Sequence, residues 1–315
     1  MRLYLPSLLL LALTCSSCHH NASHAVTAPI DSLKLVDYAF SDVRKDSVLF
    51  AEAVEVGELT DSALSETSGI APSNQNPGYF WTQQDSGNSN EIQLIDRQGT
   101  VVGEFELSGT TNRDWEDIAV GPGPVPGKSY VYVAEIGDNE FKHPVKIIYR
   151  FPEPTLSKAS KPVRATVTGI ETIRVKMPDG PKNAEAIMLD PGTLDLYVIS
   201  KEEYTTVYKA SYPQSLTAVT TMELTTVIPL DYMTAAAISP NGREILIRAY
   251  DELFYYTRRA DESVEQALQR SPLMIPIVYE SQGEAICWAP DGSGYYTTSE
   301  KTGLFARPIY FYHRK

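Results

Sequence analysis

The sequence predicts an all-β protein, a β-propeller of four-stranded blades. A short phrase ending in isoleucine recurs along the chain, at residues 68–70, 115–118, 184–187, 236–238 and 283–286. The isoleucines lie 48, 69, 51 and 48 residues apart, a period that suits a propeller blade better than a helical repeat. Tyr, Val, Ile and Thr are abundant, and glycine and proline occur along the whole chain, which is typical of many strands joined by turns.

Each phrase predicts the innermost strand of a blade, and the strand-like run before it predicts an outermost strand. The five runs are residues 51–59, 101–107, 170–177, 222–229 and 273–279. Only 29 residues follow Ile286, which is enough for two further strands and not for three. We therefore expect the N-terminal run 51–59 to complete the last blade and close the ring, which removes exposed sheet edges.

We favour five blades, and six is the alternative. The 69-residue interval contains a segment rich in Ser, Lys and Pro, residues 154–163, which we interpret as an insertion between the third and fourth strands of blade two. A sixth blade would need two blades of about 35 residues in this interval, which contains no second inner phrase.

The N-terminus predicts export. Residues 1–18 have the features of a lipoprotein signal segment, because Arg2 precedes an apolar run, residues 8–13, that ends in small residues and cysteine. The run is too short to span a bilayer. Cys18 or Cys15 is the expected lipidation site, and plain secretion is the alternative.

The rest of the chain is expected to form a tether, residues 19–46, and a single propeller domain, residues 47–315. We therefore expect a monomer held in the bacterial cell envelope, with the lipid anchor as its membrane contact and a small ligand or an envelope protein as its partner. The formal net charge of −13 argues against binding of nucleic acid. Cys287 lies in a strand pattern, which predicts a buried, reduced thiol.

In a propeller the innermost strands line a central channel, so equivalent positions of different blades converge on one axis. Glu116, Glu185 and Glu284 share one register, two residues before the aligned isoleucine, and Ser68 and Ala236 hold that position in the other two blades. Three carboxylates on one axis repel each other unless a bound cation, a basic side chain or raised pKa values compensate. We expect an acidic rim at this end of the channel.

The ends of the second strands add candidates to this rim. Asp85, Lys201, Arg248 and Glu300 all follow such a strand. Lys201 and Arg248 would compensate the acids, so the group is either a ligand-binding rim or an ion-pair network between blades. Trp115 is either a rim residue that stacks on a ligand or an aromatic packed between blades.

A second set of side chains would suit Ca²⁺, a hard cation that takes six to eight oxygen ligands. Its members are Glu116, Asp117, Asp138, Asn139, Asn183 and Glu185. Ca²⁺ is therefore the one cofactor that the sequence suggests. Asp138 and Asn139 fit plain turn chemistry equally, because Asp and Asn side chains bond their own backbone.

The histidines argue against several enzyme classes. His19, His20 and His24 fall in the predicted tether, His143 in a loop and His313 at the C-terminus, so none is placed to activate a serine or to form a His-rich zinc site. No P-loop, Gly-x-Gly-x-x-Gly or His-Glu-x-x-His pattern occurs. Any activity would need carboxylate or metal-assisted chemistry.

Several motifs together resemble a family of secreted or lipoprotein β-propellers from bacteria, most of them uncharacterised. They are the phrases DWEDIA at 114–119, IGDN at 136–139, IYR at 148–150 with Glu153-Pro154, NAEA at 183–186, and Ser200-Lys201. The resemblance covers residues 64–300. Members carry an arginine soon after the GDN phrase, where this chain has Lys142 and His143. More distantly, the family is similar to phytase-like and NHL or TolB-like propellers, some of which bind Ca²⁺ and hydrolyse phosphoesters.

Three functions follow from these observations. The first is a lipid-anchored propeller whose acidic rim binds a ligand or an envelope partner. The second is a Ca²⁺-dependent hydrolase of phosphoester or lactone type, in which the same carboxylates act as ligands and general base. The third is an architectural propeller, in which the acids pair only with Lys201 and Arg248.

Overall fold

The computed structural model describes residues 35–156 and 162–315, which belong to one compact unit, Asp31–Lys315. The chain is an all-β protein that forms a five-bladed β-propeller, as the isoleucine period predicts. The predicted signal segment, Cys15, Cys18 and the start of the predicted tether lie outside the described residues. No helix of the described residues has the length and apolar character that a membrane crossing needs.

Each blade is an antiparallel sheet whose strands run outward from the channel. Blade one contains Thr67–Pro72, Tyr79–Gln84, Glu91–Asp96 and Val101–Leu107. Blade two contains Trp115–Pro122, Ser129–Glu135, Lys146–Pro152 and Glu171–Lys176. Blade three contains Ala184–Leu189, Leu196–Ser200, Thr205–Ala210 and Glu223–Ile228. Blade four contains Ala235–Ile238, Glu244–Arg248, Leu253–Thr257 and Leu273–Met274.

Blade five joins the two ends of the folded chain. It contains Gly283–Trp288, Gly294–Ser299, Pro308–His313 and, as its outermost strand, Val54–Glu58. Val54–Glu58 pairs antiparallel with Pro308–His313, with Val54 opposite Phe311. The predicted closure of the ring by the N-terminal run is confirmed.

Three short strands add parallel edges to the blades. Val163–Val167, at the end of the predicted insertion, leaves blade two and pairs with Val101–Leu107 of blade one. Thr220–Thr221 pairs with Glu171–Lys176 in the same way. Arg44–Lys45, which falls within the predicted tether, pairs with Leu273–Met274 of blade four. Contacts with the propeller therefore begin before residue 47.

The helical segments are short and lie outside the blades. They are the 3₁₀ turns Phe40–Asp42 and Ser62–Leu64 and the α-helix Val264–Leu268. Ser263 caps this α-helix and forms a capping box with Gln266.

The core consists of five apolar clusters, each formed by two neighbouring blades. The inner strands Ala184–Leu189 and Gly283–Trp288 are buried along their whole length, because both of their faces pack against another blade. Outer strands such as Glu171–Lys176 alternate between buried and exposed positions. Cys287 is buried and free, as predicted.

Phe50 anchors the segment that leads into the closing strand. It is 1% exposed, and its ring packs against Tyr255, Trp288 and Tyr295 of blades four and five. We predict that Phe50→Ala lowers the free energy of unfolding by about 3–5 kcal/mol, because it leaves a cavity where the ring closes. Urea unfolding measures the change. Val54→Ala, at a position 58% exposed in the closing strand, is the control and should cost less than about 0.5 kcal/mol.

Candidate functional site

Four innermost strands begin with a β-bulge, and the extra residue of each bulge is the predicted rim position. The pairing with the second strand shifts between Thr67 and Gly69, Trp115 and Asp117, Ala184 and Ala186, and Gly283 and Ala285. The extra residues are Ser68, Glu116, Glu185 and Glu284. A regular strand directs its side chains between the blades, whereas a bulge re-aims one side chain. The bulges therefore direct three glutamates to the channel axis.

Blade four departs from this pattern. Its inner strand pairs without a shift, with Ala235 opposite Arg248 and Ala236 opposite Ile247. Ala236 is thus the counterpart of Asp117 and Ala186, and the alignment that placed it beside the glutamates is wrong by one residue. Blade four has no residue at the rim position, because its strand is one residue shorter.

The carboxylates converge at the end of the channel where the inner strands begin. Glu116, Glu185 and Glu284 are 3%, 4% and 5% exposed. Carboxylate oxygens of Glu116, Asp85 and Asp114 lie within 4.8 Å of one another. Asp114 belongs to the DWEDIA phrase but was not in the predicted ligand set. Asp114 comes directly before the residues of the bulge, and this position is the signal that a knowledge of the bulge would have supplied.

Gly137 of the GDN phrase makes room for these acids. A Cβ atom at this position would lie 2.0 Å from Glu116 Oε1 and 2.5 Å from Asp114 Oδ2. A larger residue at this position would therefore push the two carboxylates out of the positions they hold. Ser68 Oγ donates a hydrogen bond to the carbonyl of Glu116 at 2.6 Å, which ties the bulges of blades one and two together.

Burial and mutual repulsion favour the protonated forms of the acids. Burial, followed by the charges of Glu185 and Asp85, raises the pKa of Glu116 well above its usual value. Burial, with a contribution from Glu300, raises the pKa of Asp85 to about 7. Burial together with Glu300 and Glu185 raises the pKa of Glu284 to about 9. Without a bound cation, the raised pKa values therefore favour the neutral forms of Glu116 and Glu284 at neutral pH.

Lys201 is the basic side chain that reaches this group. Its Nζ atom lies 3.1 Å from Glu185 Oε1 and 3.9 Å from Glu284 Oε1, and it sits over the ring of Tyr250 at 5.0 Å. Burial alone would lower the pKa of Lys201, but Glu185, a hydrogen bond with Tyr250 and Glu284 together outweigh burial and raise the pKa. Lys201 therefore compensates the glutamates that blades three and five contribute to the channel.

Arg248 does not compensate the rim, contrary to prediction. It is fully buried, and its Nη2 atom pairs with Glu280 Oε2 at 2.6 Å. Its Nη1 atom donates to the carbonyls of Ala285 and Thr298 at 2.8 and 3.2 Å. The guanidinium thus holds the bulge that carries Glu284, because Ala285 is the residue after that glutamate.

Trp115 does not face a ligand either. It is 0% exposed, packs edge-on against Tyr149, and donates from Nε1 to the carbonyl of Thr111 at 2.9 Å. The alternative interpretation of Trp115, an aromatic packed between blades, is the one that the structure supports.

The six predicted Ca²⁺ ligands do not form one set. Asp117 accepts hydrogen bonds from the backbone N–H groups of Ile118 and Ile187 at 2.8 Å, so it links blades two and three. Asp138 pairs with Lys146 at 3.1 Å, and both side chains are buried. In residues 35–156 and 162–315, only Asp85, Asp114 and Glu116 form a group of three potential acidic ligands.

Asn183 and Asn139 position the rim. The Asn183 side chain accepts from the backbone of Asp138 at 2.8 Å and donates to Asn139 Oδ1 and Glu185 Oε1, each at 3.0 Å. The NAEA and GDN phrases are therefore in direct contact across two blades. Glu300 lies beside Glu284, as expected from its place after a second strand.

Exposed aromatic side chains occur on the face of the propeller that holds the acidic end of the channel. Of the seven in the described part of the chain, five lie in loops on this face: Phe141, Tyr204, Tyr232, Tyr279 and Phe305. Phe141 and Tyr232 have φ values of 55°, a conformation that bulky residues rarely adopt. Strained positions of this kind occur preferentially at binding and active sites.

No protein-family model and no curated protein sequence matches this chain. Among solved structures, it is similar to the PQQ-bound form of aldose sugar dehydrogenase (Adh) from Streptomyces coelicolor, with 9% sequence identity and a TM-score of 0.45. The match covers 84% of this chain and 98% of that chain. A similarity at this level supports no conclusion about a cofactor or a substrate. Apart from the fold, the resemblance to the secreted or lipoprotein β-propellers remains a prediction.

Substitutions of Arg248 and Glu280 test how much their ion pair contributes to stability, as distinct from the hydrogen bonds of Arg248 to the bulge that carries Glu284. We predict that Arg248→Met lowers the free energy of unfolding by about 3–5 kcal/mol, because it leaves Glu280 buried without its partner. The double variant Arg248→Met, Glu280→Leu should recover part of this loss, since neither charge remains. Urea unfolding of the three proteins measures it. A double variant as unstable as the single one would show that the bonds to the bulge, and not the ion pair, dominate.

Proposed function

We propose that this chain is a binding propeller of the bacterial cell envelope, lipid-anchored through Cys18 or Cys15, whose acidic channel end holds a cationic ligand. The observation that carries the proposal is the group formed by Asp85, Asp114 and Glu116 within 4.8 Å. In the described ranges, no basic side chain forms an ion pair with any of the three.

A divalent cation is the ligand that this group suits best. Carboxylate oxygens are the donors that Ca²⁺ prefers, and three of them supply half of its minimum of six ligands. The charge of the ion would favour the ionised form of Glu116 and Asp85, whose pKa values are raised without it. The site differs from the predicted oxygen set and shares only Glu116 with it.

The remaining hypotheses fit less well. An architectural propeller predicts acids paired only with Lys201 and Arg248, whereas Arg248 pairs with Glu280. Within the described residues no basic side chain forms an ion pair with the three-carboxylate group, although burial raises the pKa of Asp114 and the charges of Arg113 and Lys146 oppose this larger effect. A hydrolase would use the same carboxylates, and no contact in the site favours catalysis over binding. The exposed aromatic side chains on the same face favour recognition of a ligand or partner there.

Calcium binding is tested by thermal unfolding of the protein in EDTA and in 1 mM CaCl₂. A site with a Kd of about 10 μM should stabilise the fold by about 2.7 kcal/mol, which raises the Tm by roughly 5–10 °C for a domain of this size. Glu116→Gln should remove this increase. Glu140→Gln, at an exposed glutamate on the same face, is the matched control and should keep it. An equal rise in Tm with CaCl₂ in the unsubstituted protein, Glu116→Gln and Glu140→Gln would show that the ion binds elsewhere.

The raised pKa values predict a pH dependence with a defined sign. Glu284 has a pKa of about 9 in the folded protein, above its ordinary 4.5, so the folded state binds more protons than the unfolded state between these values. The free energy of unfolding in EDTA should therefore fall as the pH rises from 5 to 9. Urea unfolding at pH 5, 7 and 9 measures the slope, and Glu284→Gln should flatten it. A slope unchanged by Glu284→Gln would contradict the assignment.

A further inference from the structure

The channel has a second end, which the proposed function does not use. Past the bulges, the five innermost strands run to the opposite face and line a cavity of about 200 Å³ that opens to solvent there. At the end of each strand, or within two residues of it, the chain places a proline in the wall: Pro72, Pro122, Pro191, Pro240 and Pro290. This proline ring includes blade four, which has no bulge.

The wall of this cavity carries no charge. Its described lining residues include no Asp, Glu, Lys, Arg or His, although the chain has 40 acidic residues. The polar side chains in it, Asn74 and Ser239, already donate hydrogen bonds to Ser129 and Asn241. Trp288 Nε1 already donates a hydrogen bond to the carbonyl of Ala237 at 3.3 Å, and Cys287 adds a buried, weakly polar thiol. The remaining polar groups are main-chain atoms, and proline contributes no N–H donor.

We propose that the proline-ringed cavity binds a small uncharged molecule with an apolar ring body and one hydrogen-bonding group. A dry apolar cavity of about 150 Å³ is large enough for benzene, so this volume suits one ring or two fused rings. A charged molecule would lose its hydration with no opposite charge in the wall. The walls are strands packed into the core, so binding orders little of the protein.

The test uses isothermal titration calorimetry of the full protein with 2-naphthol. We expect saturable binding with a Kd of about 0.1–1 mM and at least tenfold weaker binding of 2-naphthoate, which has a similar shape and a negative charge. Because Trp288 lines the cavity, whereas Trp81 and Trp115 do not, 2-naphthol should also quench part of the tryptophan fluorescence.

Variants locate the binding. Ala237→Leu and Ala119→Leu each fill the cavity from a partly exposed wall position and should weaken 2-naphthol binding at least tenfold. Ala260→Leu, at an exposed position away from the cavity, should leave it unchanged. Glu116→Gln should leave it unchanged as well, which separates this site from the acidic end. Absence of saturable binding, or binding that survives both filling variants, would overturn the proposal.

Discussion

The arrangement of the inner strands around one axis governs the chemistry of this protein. Among the described strands, each inner strand is hydrogen-bonded to one neighbour only, so its other edge faces the channel and its side chains pack between blades. A strand with regular pairing therefore offers the channel its backbone edge and parts of its apolar side chains, but no charged group. An extra residue at the start of the strand changes this, because a bulge takes one side chain out of the alternation. Glu116, Glu185 and Glu284 reach the axis in this way.

The architecture was predictable because it depends on apolar periodicity. The isoleucine phrase recurs wherever an inner strand is buried on both faces, and the run 51–59 was the one segment left to complete blade five. The insertion at 154–163 was recognisable because polar, proline-rich sequence cannot continue a buried strand. These inferences need only the period of the pattern and the number of remaining residues.

The site was predictable only in part, because side-chain direction depends on contacts distant in sequence. Lys201 and Arg248 both stand at the end of a second strand, yet Lys201 reaches Glu185 while Arg248 turns to Glu280. The position of Glu280 could not be inferred from the repeat. Ala236 of blade four was aligned wrongly for a related reason. Blade four lacks one residue within a run of alanines, so its sequence still resembles the repeat although the strand register differs by one residue. Asp114 and Asp117 are three residues apart, and only the bulge shows which one faces Glu116.

One strand thus carries two kinds of chemistry along its length. It begins at a bulge among carboxylates and exposed aromatic side chains, and it ends at a proline in an uncharged wall. Because the polar and apolar features sit at opposite ends of the same element, substitutions at one end need not disturb the other. The two ends can be altered separately while the blades stay in place.

The closing strand has a consequence for the order of folding. Val54 pairs with Phe311, and these residues are 311 − 54 = 257 positions apart in the chain. Such a distant pairing carries a high entropic cost of loop closure, so it forms late compared with the hairpins within each blade. Until the last strand of the chain has been synthesised, Val54–Glu58 has no partner and the ring stays open. A chain cut short near its C-terminus would therefore keep four blades and expose unpaired strand edges, which makes it prone to aggregation rather than partly functional.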